Sequence, residues 1–433
     1  MFLIKQIKRI SSGGFLNLFY SFFYTLELSI ALILVAFDDG YKLYNGIFLS
    51  ETLPSFGLAC VLANLGIYFG QRLSNYFFKR GINLSLNERI NKLSEFYNLN
   101  IVSLYFLVLF SFTIISSLDI AYYIAVLALS FSFSTALIGL IWAKLNRFNK
   151  FLWIFALGVN FIFHAVQGSR GTALFPIIFL VIGYMISIKE NKRLFKRQLI
   201  TYSFIAFISF PILSLISDFR TIQGRGLEVN MDNIEMLWNI GLNYKSNEKD
   251  DGEELRSSLG RMLIEANPAA VFMTPDRVDY RYDDSMMDEV ISIVSLAGDS
   301  GREINREERG NAGYGTGVAT RYGFAVNATT SVEWPVFADS YSRFGYIGLF
   351  VYSFAFAMFF SYLEKFTTRL WKRNQLLSMI LMLFILYNGV LSYMYSYYAL
   401  MKVLVFRMTL LWIVTQFISL FTKRHTINKL VAR

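Results

Sequence analysis

The chain has 433 residues, of which 55% are hydrophobic and only 17% are charged, and this composition excludes an ordinary soluble domain. Its formal net charge of +10 would suggest a nucleic-acid partner in a soluble protein. Here the excess lies in short segments between hydrophobic stretches, where basic residues orient helices and contact anionic membrane lipid, so we expect no nucleic-acid partner. The single cysteine, Cys60, excludes an intrachain disulfide and a cysteine-based metal site.

Hydrophobic segments long enough to cross a bilayer recur from the N-terminus onward. About 20 apolar residues cross the roughly 30 Å of hydrocarbon. Ten segments meet or approach that length: 14–37, 47–70, 100–118, 120–143, 151–167, 172–188, 198–217, 337–362, 375–395 and 402–421. Assigning their ends to alternate sides leaves 24 of the 41 lysines and arginines on one side, which identifies that side as cytoplasmic. We therefore predict an all-α, polytopic membrane protein of the inner-membrane type with both termini in the cytoplasm.

The first hydrophobic segment and the first cytoplasmic loop carry further information. The first follows basic residues but lacks a cleavage pattern of small residues, so we expect it to remain as a spanning helix. The cytoplasmic loop 71–99 carries Leu86, Ile90, Leu93 and Tyr97 at a helical period. This pattern predicts a structural helix that lies on the inner leaflet.

The outer segment from Asp218 to Pro335 is the exception to the short loops, and it divides the chain into three parts. We predict that residues 1–217 hold the first seven spanning helices, 218–336 form one large periplasmic loop, and 337–433 hold the last three helices. Such a long loop should fold into helices and act as a lid or binding element. Its basic residues are almost all arginine, whose planar charged fork binds phosphate or carboxylate. Alternatively, they pair with the loop's own acids.

Several titratable side chains lie in or near the predicted spanning helices. Arg170 separates two closely spaced segments and so begins a helix at the outer boundary, where backbone N–H groups also favour an anion. The last segment must begin near Lys402, which draws Arg407 partly into the membrane, and Glu27 lies midway along the first segment. These charges should face protein or water, either as binding groups or as anchors. His164 is either a binding group or a satisfied buried histidine.

Residues 327–348 lead from the large loop into the eighth segment and concentrate polar and aromatic groups there. The groups are Glu333, Trp334, Asp339, Tyr341 and Arg343. This mixture suits stacking on sugar faces, accepting a hydroxyl proton and holding phosphate. The chain has no P-loop sequence, and its two histidines fall at opposite ends of the predicted topology, so neither a P-loop ATPase nor a histidine metal site is expected.

Three features together resemble the O-antigen polymerases, the Wzy-type polymerases of oligosaccharide repeat units. They are the short outer Gly168-Ser-Arg-Gly171, the one large arginine-rich loop, and Phe337-Ala-Asp-Ser-Tyr-Ser-Arg-Phe-Gly-Tyr-Ile-Gly348 leading into a late helix. The resemblance implies a metal-independent glycosyltransferase, without a cofactor, of GT-C-like architecture. Such an enzyme transfers a growing glycan from undecaprenyl pyrophosphate onto a new lipid-linked repeat unit at the periplasmic face, and a separate partner protein regulates chain length.

That reaction gives the candidate residues their roles. Arginines would stabilise the pyrophosphate leaving group as its charge develops. The candidate substrate-binding residues are Arg170, Arg261, Arg321, Arg343, Arg407, His164, Trp334 and Tyr341. One carboxylate should take the proton of the acceptor hydroxyl. Glu333 and Asp339 are both candidates for this base, and Asp339 could instead only order Arg343.

Two alternative functions stay open at this point. An O-antigen ligase typically carries a histidine in its large outer loop, and this loop has none. A flippase or transporter of the same lipid-linked oligosaccharide is expected to show internal repeats and broken helices with short loops. One dominant outer loop and no visible repeat favour the enzyme.

Overall fold

Helices make up nearly all of the residues that the computed structural model describes, and no β-strand occurs among them. The described residues are 15–43, 46–78, 86–115, 133–166, 170–188, 191, 193–198, 200–201, 235, 259, 263, 266–274, 336–391 and 408–422. Four of their helices are long and apolar enough to cross a membrane: Leu16–Phe37, Leu49–Phe77, Arg147–Val166 and Phe337–Leu370. The predicted all-α membrane fold is thereby confirmed, and the number of spans stays a prediction.

The described helices start close to the predicted segments, although α2 and α9 extend beyond the predicted ends and α8 lies within the predicted large loop. In order they are α1 Phe15–Phe37, α2 Leu49–Phe77, α3 Leu86–Phe96, α4 Leu99–Ile115, α5 Ser134–Ile141, α6 Arg147–Val166, α7 Arg170–Ser187, α8 Ala266–Met273, α9 Val336–Leu370, α10 Gln375–Leu391 and α11 Met408–Thr422. Of the predicted segment 120–143, only the part from residue 133 is described. The segment 198–217 lies outside the described residues except for residues 198, 200 and 201.

The chain forms two compact units, each built from segments that are distant in sequence. The first unit comprises Met1–Asn83, Glu248–Arg373 and Phe384–Thr409. The second unit comprises Leu84–Asn247, Asn374–Leu383 and Leu410–Arg433.

In the first unit, α2 packs most extensively on α9, and their backbones approach closely at two glycines. A Cβ atom at Gly66 would lie 2.6 Å from the carbonyl oxygen of Phe350, and one at Gly70 would lie 2.9 Å from the Cβ of Ala357. Both distances are too short for a side chain, so only glycine fits. This small-residue spacing of four is typical of tightly packed membrane helices. Since the contacts advance together along both helices, α2 and α9 run parallel.

Two adjacent charged residues of α9 satisfy the ends of α1 and α2. The Glu364 carboxylate accepts a bond of 3.5 Å from the N–H of Leu16 at the start of α1. The Lys365 ammonium donates a bond of 2.7 Å to the carbonyl of Ser74 in the last turns of α2. An acid suits a helix N-terminus and a base suits a C-terminus because of the helix dipole. The three helices are therefore fixed in register at this end of the unit.

α9 folds back on itself at Gly345, whose φ of 61° and ψ of −147° are open to glycine only. The rings of Phe344 and Tyr352 stack with 6.3 Å between centroids, although eight residues of straight helix rise about 12 Å. A Cβ atom at Gly348 would also lie 3.0 Å from the carbonyl oxygen of Ser340. We call residues 336–344 the short arm and residues 346–370 the long arm. The predicted span 337–362 is thus interrupted, because Gly345 allows a sharp reversal.

The second unit contains α3, for which the predicted helix is confirmed; its position on the inner leaflet stays a prediction. Ile90 and Leu93 of α3, and Tyr97 just after it, are buried against protein. The Tyr97 hydroxyl donates a bond of 3.4 Å to the side chain of Asn374. Arg89 is also buried, and this burial lowers the pKa of its guanidinium from the ordinary value. Both apolar and polar side chains therefore anchor the helix to the rest of its unit.

Candidate functional site

The short arm carries three of the predicted site residues, Asp339, Tyr341 and Arg343, and all three are buried. No residue from Phe337 to Arg343 is more than 3% exposed, whereas Phe344 at the end of the arm is 41% exposed. The ring of Phe337 packs between Tyr24 of α1 and Phe56 of α2, with centroid distances of 5.1 and 5.6 Å. Residues 337–343 therefore lie inside the first unit, and the arm reaches the surface at Phe344.

Asp339 and Arg343 form an ion pair within the short arm. The Arg343 Nε donates to Asp339 Oδ1 over 3.2 Å, one helical turn away, and both side chains are almost fully buried. Removing either partner would leave a buried charge without its counter-ion, which is strongly destabilising. The pair places a guanidinium, which suits a phosphate oxygen, beside a carboxylate that orients it.

Tyr341 holds the two arms of α9 together. Its ring lies against that of Tyr346 with 5.2 Å between centroids and an interplanar angle of 76°, an edge-to-face contact across the fold-back. The predicted role of Tyr341 in stacking on a sugar stays a prediction. In this structure the ring is only 2% exposed and serves the packing of the short arm.

One face of α1 is polar along much of its length and meets other helices of the first unit. Asn17 donates bonds to Ser361 and to the carbonyl of Ala357 over 2.9 and 3.2 Å. A cavity of about 20 Å³ lies on this face, lined partly by Asn17, Tyr20 and Tyr24. That volume suffices for one water molecule, although Ile67, Phe356, Ala357 and Phe360 line the cavity as well. This face of α1 thus lies inside the first unit, in contact with other helices.

α8, a helix within the predicted large loop, is also inside the first unit, and the sequence did not reveal this. Ala266, Ala269, Ala270 and Phe272 are at most 3% exposed, and α8 packs on both α2 and α9. The N–H of Ala266 donates a bond of 3.3 Å to Oε2 of Glu27. Glu27 is thus held by protein, as expected for a charge in a spanning helix. The available signal for α8 was a proline suited to a first turn, followed by two alanines.

The second unit holds His164 and Arg170. His164 lies in the last turn of α6, is 8% exposed, and has its ring beside Phe163. α7 begins at Arg170, as the sequence predicted, but the side chain of Arg170 lies outside the described residues. Binding roles for both residues stay predictions.

The remaining predicted site residues fall in parts of the chain that are not described. They are Glu333, Trp334, Arg261, Arg321 and Arg407. Among the described residues, no three His, Cys, Asp or Glu side chains are grouped so that they could hold a metal ion. Metal independence nevertheless stays an expectation from the resemblance.

Comparison with known proteins yields no relative. No protein-family model, no curated protein and no solved structure matches the chain.

Proposed function

We propose that the protein is a membrane glycosyltransferase of GT-C-like architecture. It would polymerise undecaprenyl-pyrophosphate-linked oligosaccharide repeat units at the periplasmic face of the bacterial inner membrane, as O-antigen polymerases do, with a separate protein setting chain length. The observation that carries the proposal is the buried pair of Asp339 and Arg343, which follows directly after the large loop. Buried ion pairs often contribute little net stability, and ionisable groups within spanning segments commonly serve function.

The helix directions support the proposed topology. Ten spans with both termini inside require the second and the eighth span to run in the same direction, from the periplasm to the cytoplasm. These spans correspond to α2 and α9, which run parallel. The same topology places the short arm near the periplasmic end of its unit, where a substrate carried across the membrane would be met.

The chemistry needs a cation for the leaving pyrophosphate and a base for the acceptor hydroxyl. Arg343 suits the first task because its guanidinium stays charged and can bind two oxygens at once. Asp339 already accepts a bond from Arg343, so we assign it to orienting that guanidinium. We therefore assign the base to Glu333, which precedes the short arm.

The test is a polymerisation assay with purified protein and lipid-linked repeat units. Glu333→Gln should lower the rate by about 10²- to 10⁴-fold, the usual contribution of a general base. Asp339→Asn keeps an oxygen for Arg343 and should lose less. If Glu333→Gln polymerises within a few-fold of the parent, the assignment of the base is wrong. In cells, deletion of the gene should remove the polysaccharide ladder on a gel and retain a single repeat unit; an intact ladder would refute the function.

A transporter of lipid-linked oligosaccharide is the second candidate, and the fold-back at Gly345 favours it. Transporters often contain interrupted helices around their binding sites. The two functions differ in where the substrate accumulates when the protein is deleted. Single repeat units on lipid carrier at the periplasmic face indicate a missing polymerase, whereas accumulation at the cytoplasmic face indicates a missing flippase.

A further inference from the structure

The start of α8 lies in the interior of the first unit, where its backbone N–H groups need partners from the protein. The first N–H groups of a helix have no acceptor within that helix. Here Pro268 has no N–H, and that of Asn267 donates over 3.2 Å to the carbonyl of Leu263. The N–H of Ala266 donates to Glu27 of α1. Glu27 thus supplies an acceptor from outside the large loop.

The buried carboxylate of Glu27 in turn needs hydrogen-bond donors. Its side chain is 1% exposed in the middle of α1, and a buried carboxylate is costly unless donors hold it. A helix N-terminus favours an acid, since the backbone dipole places partial positive charge there. The buried carboxylate and the buried helix start therefore stabilise each other.

We propose that Glu27 is a positioning residue that seats α8 inside the first unit and thereby shapes the surroundings of the Asp339–Arg343 pair. α8 packs on α2 and α9, and Phe56 of α2 contacts Phe337 of the short arm. Tyr24, one turn before Glu27 on α1, contacts Phe337 at the start of that arm. The inference rests on the proposed function in one respect, namely that a seated α8 completes the site for the lipid-linked substrate. The seating of α8 does not depend on catalytic activity.

Seating can be measured without catalysis through a cysteine placed at Ala269, which is fully buried on α8. The full-length protein, with Cys60→Ala as background, is labelled in spheroplasts with a membrane-impermeant maleimide. Glu27→Ala removes the acceptor for Ala266, and losing such a bond shifts an equilibrium by roughly 5- to 150-fold. Labelling should accelerate by a corresponding factor. Glu27→Gln retains an amide oxygen as acceptor and loses only the interaction of the charge with the helix dipole, so its labelling should stay much closer to the parent rate than to that of Glu27→Ala.

Glu364→Ala is the matched control, because Glu364 also accepts a backbone N–H at a helix start, but at the far end of α1. It should leave labelling at position 269 unchanged. If Glu27→Ala does not accumulate, Glu27→Asp replaces it, since its side chain is one methylene shorter, and it should also label faster. Parent-like labelling of the shortened variant overturns the inference. Equal acceleration in Glu364→Ala, or in Glu27→Gln, overturns it too, because loosening would then not depend on the acceptor at Glu27.

Polymerisation provides the second measurement. Product formation should fall in Glu27→Ala along with the gain in labelling, and Glu27→Gln should rescue both. If labelling changes as expected while the parent protein forms no polymer, the proposed function fails and the seating of α8 stands. If polymerisation is normal in Glu27→Ala despite faster labelling, Glu27 does not position the site.

Discussion

Replacing Gly66 by alanine tests the closest helix contact in the first unit. The new Cβ atom would lie 2.6 Å from the carbonyl oxygen of Phe350, 3.0 Å from the Cβ of Ser353 and 3.1 Å from the backbone nitrogen of Phe354. Two of these three atoms belong to the backbone of α9 and cannot rotate away. The helices must therefore separate by about 0.8 Å at this point to reach an ordinary contact of roughly 3.4 Å.

The magnitude follows from two opposing terms. Alanine has a higher helix propensity than glycine, which stabilises by about 0.8–1.0 kcal/mol. Overpacking a tight contact costs about 1–3 kcal/mol. Gly57→Ala is the matched control on the same helix, because its Cβ would meet only the Cδ1 of Leu28 at 3.7 Å, an ordinary contact. Both variants gain the propensity term, so Gly66→Ala should be less stable than Gly57→Ala by about 1–3 kcal/mol.

The comparison uses the parent and both variants, purified in one detergent. Unfolding is followed by tryptophan fluorescence against increasing denaturing detergent, and the apparent free energies of unfolding are compared. Gly66→Ala should have the lowest midpoint, and Gly57→Ala should match or exceed the parent. Equal midpoints for the two variants would refute the backbone contact between α2 and α9.

Three further changes test other features of the structure. Gly345→Ala places a Cβ in a backbone region open to glycine only, which should cost about 1–3 kcal/mol in the same unfolding assay; Gly158→Ala, whose Cβ would meet nothing within 4 Å, is the control, and equal stabilities would contradict the fold-back. Lys365→Met removes the donor to the last turns of α2 and should lower stability by about 1–3 kcal/mol; an unchanged midpoint would show that this bond contributes nothing. Reporter fusions at Asn191 and Asn247 should lie on opposite sides of the membrane, and the same side for both would refute the topology.

The sequence predicted the helices well where hydrophobic length decides the structure. α1 spans Phe15–Phe37 against a prediction of 14–37, and α6 and α7 differ from their predicted bounds by a few residues. It did not predict the fold-back of α9. The length of an apolar segment does not indicate a reversal within it, because the reversal depends on the backbone conformation of one glycine, Gly345.

In the candidate site too, some features could be predicted from the sequence and others could not. Asp339 and Arg343 could be picked out as charges close to a membrane boundary, and their spacing of four allows the observed pair. The burial of α8 could not be read in this way. Ala266–Met273 is short and weakly patterned, and its place depends on an acceptor from Glu27, more than 200 positions away in the chain. Tertiary contacts of this range leave no local periodic signal.

The parallel contact of α2 with α9 has a consequence for biosynthesis. α1 and α2 enter the membrane first, joined by the bond from Ser21 to Asn64. α9 is translated only after α3 to α8. Until then the surface of α2 at Gly66 and Gly70 faces lipid or the insertion machinery, and the N–H of Ala266 is not yet present to donate to Glu27. The first unit must therefore assemble in two stages, insertion followed by late closure, as membrane helices generally do. A chain that is truncated before residue 336 would therefore contain α1 and α2 but lack the helix that packs against Gly66 and Gly70.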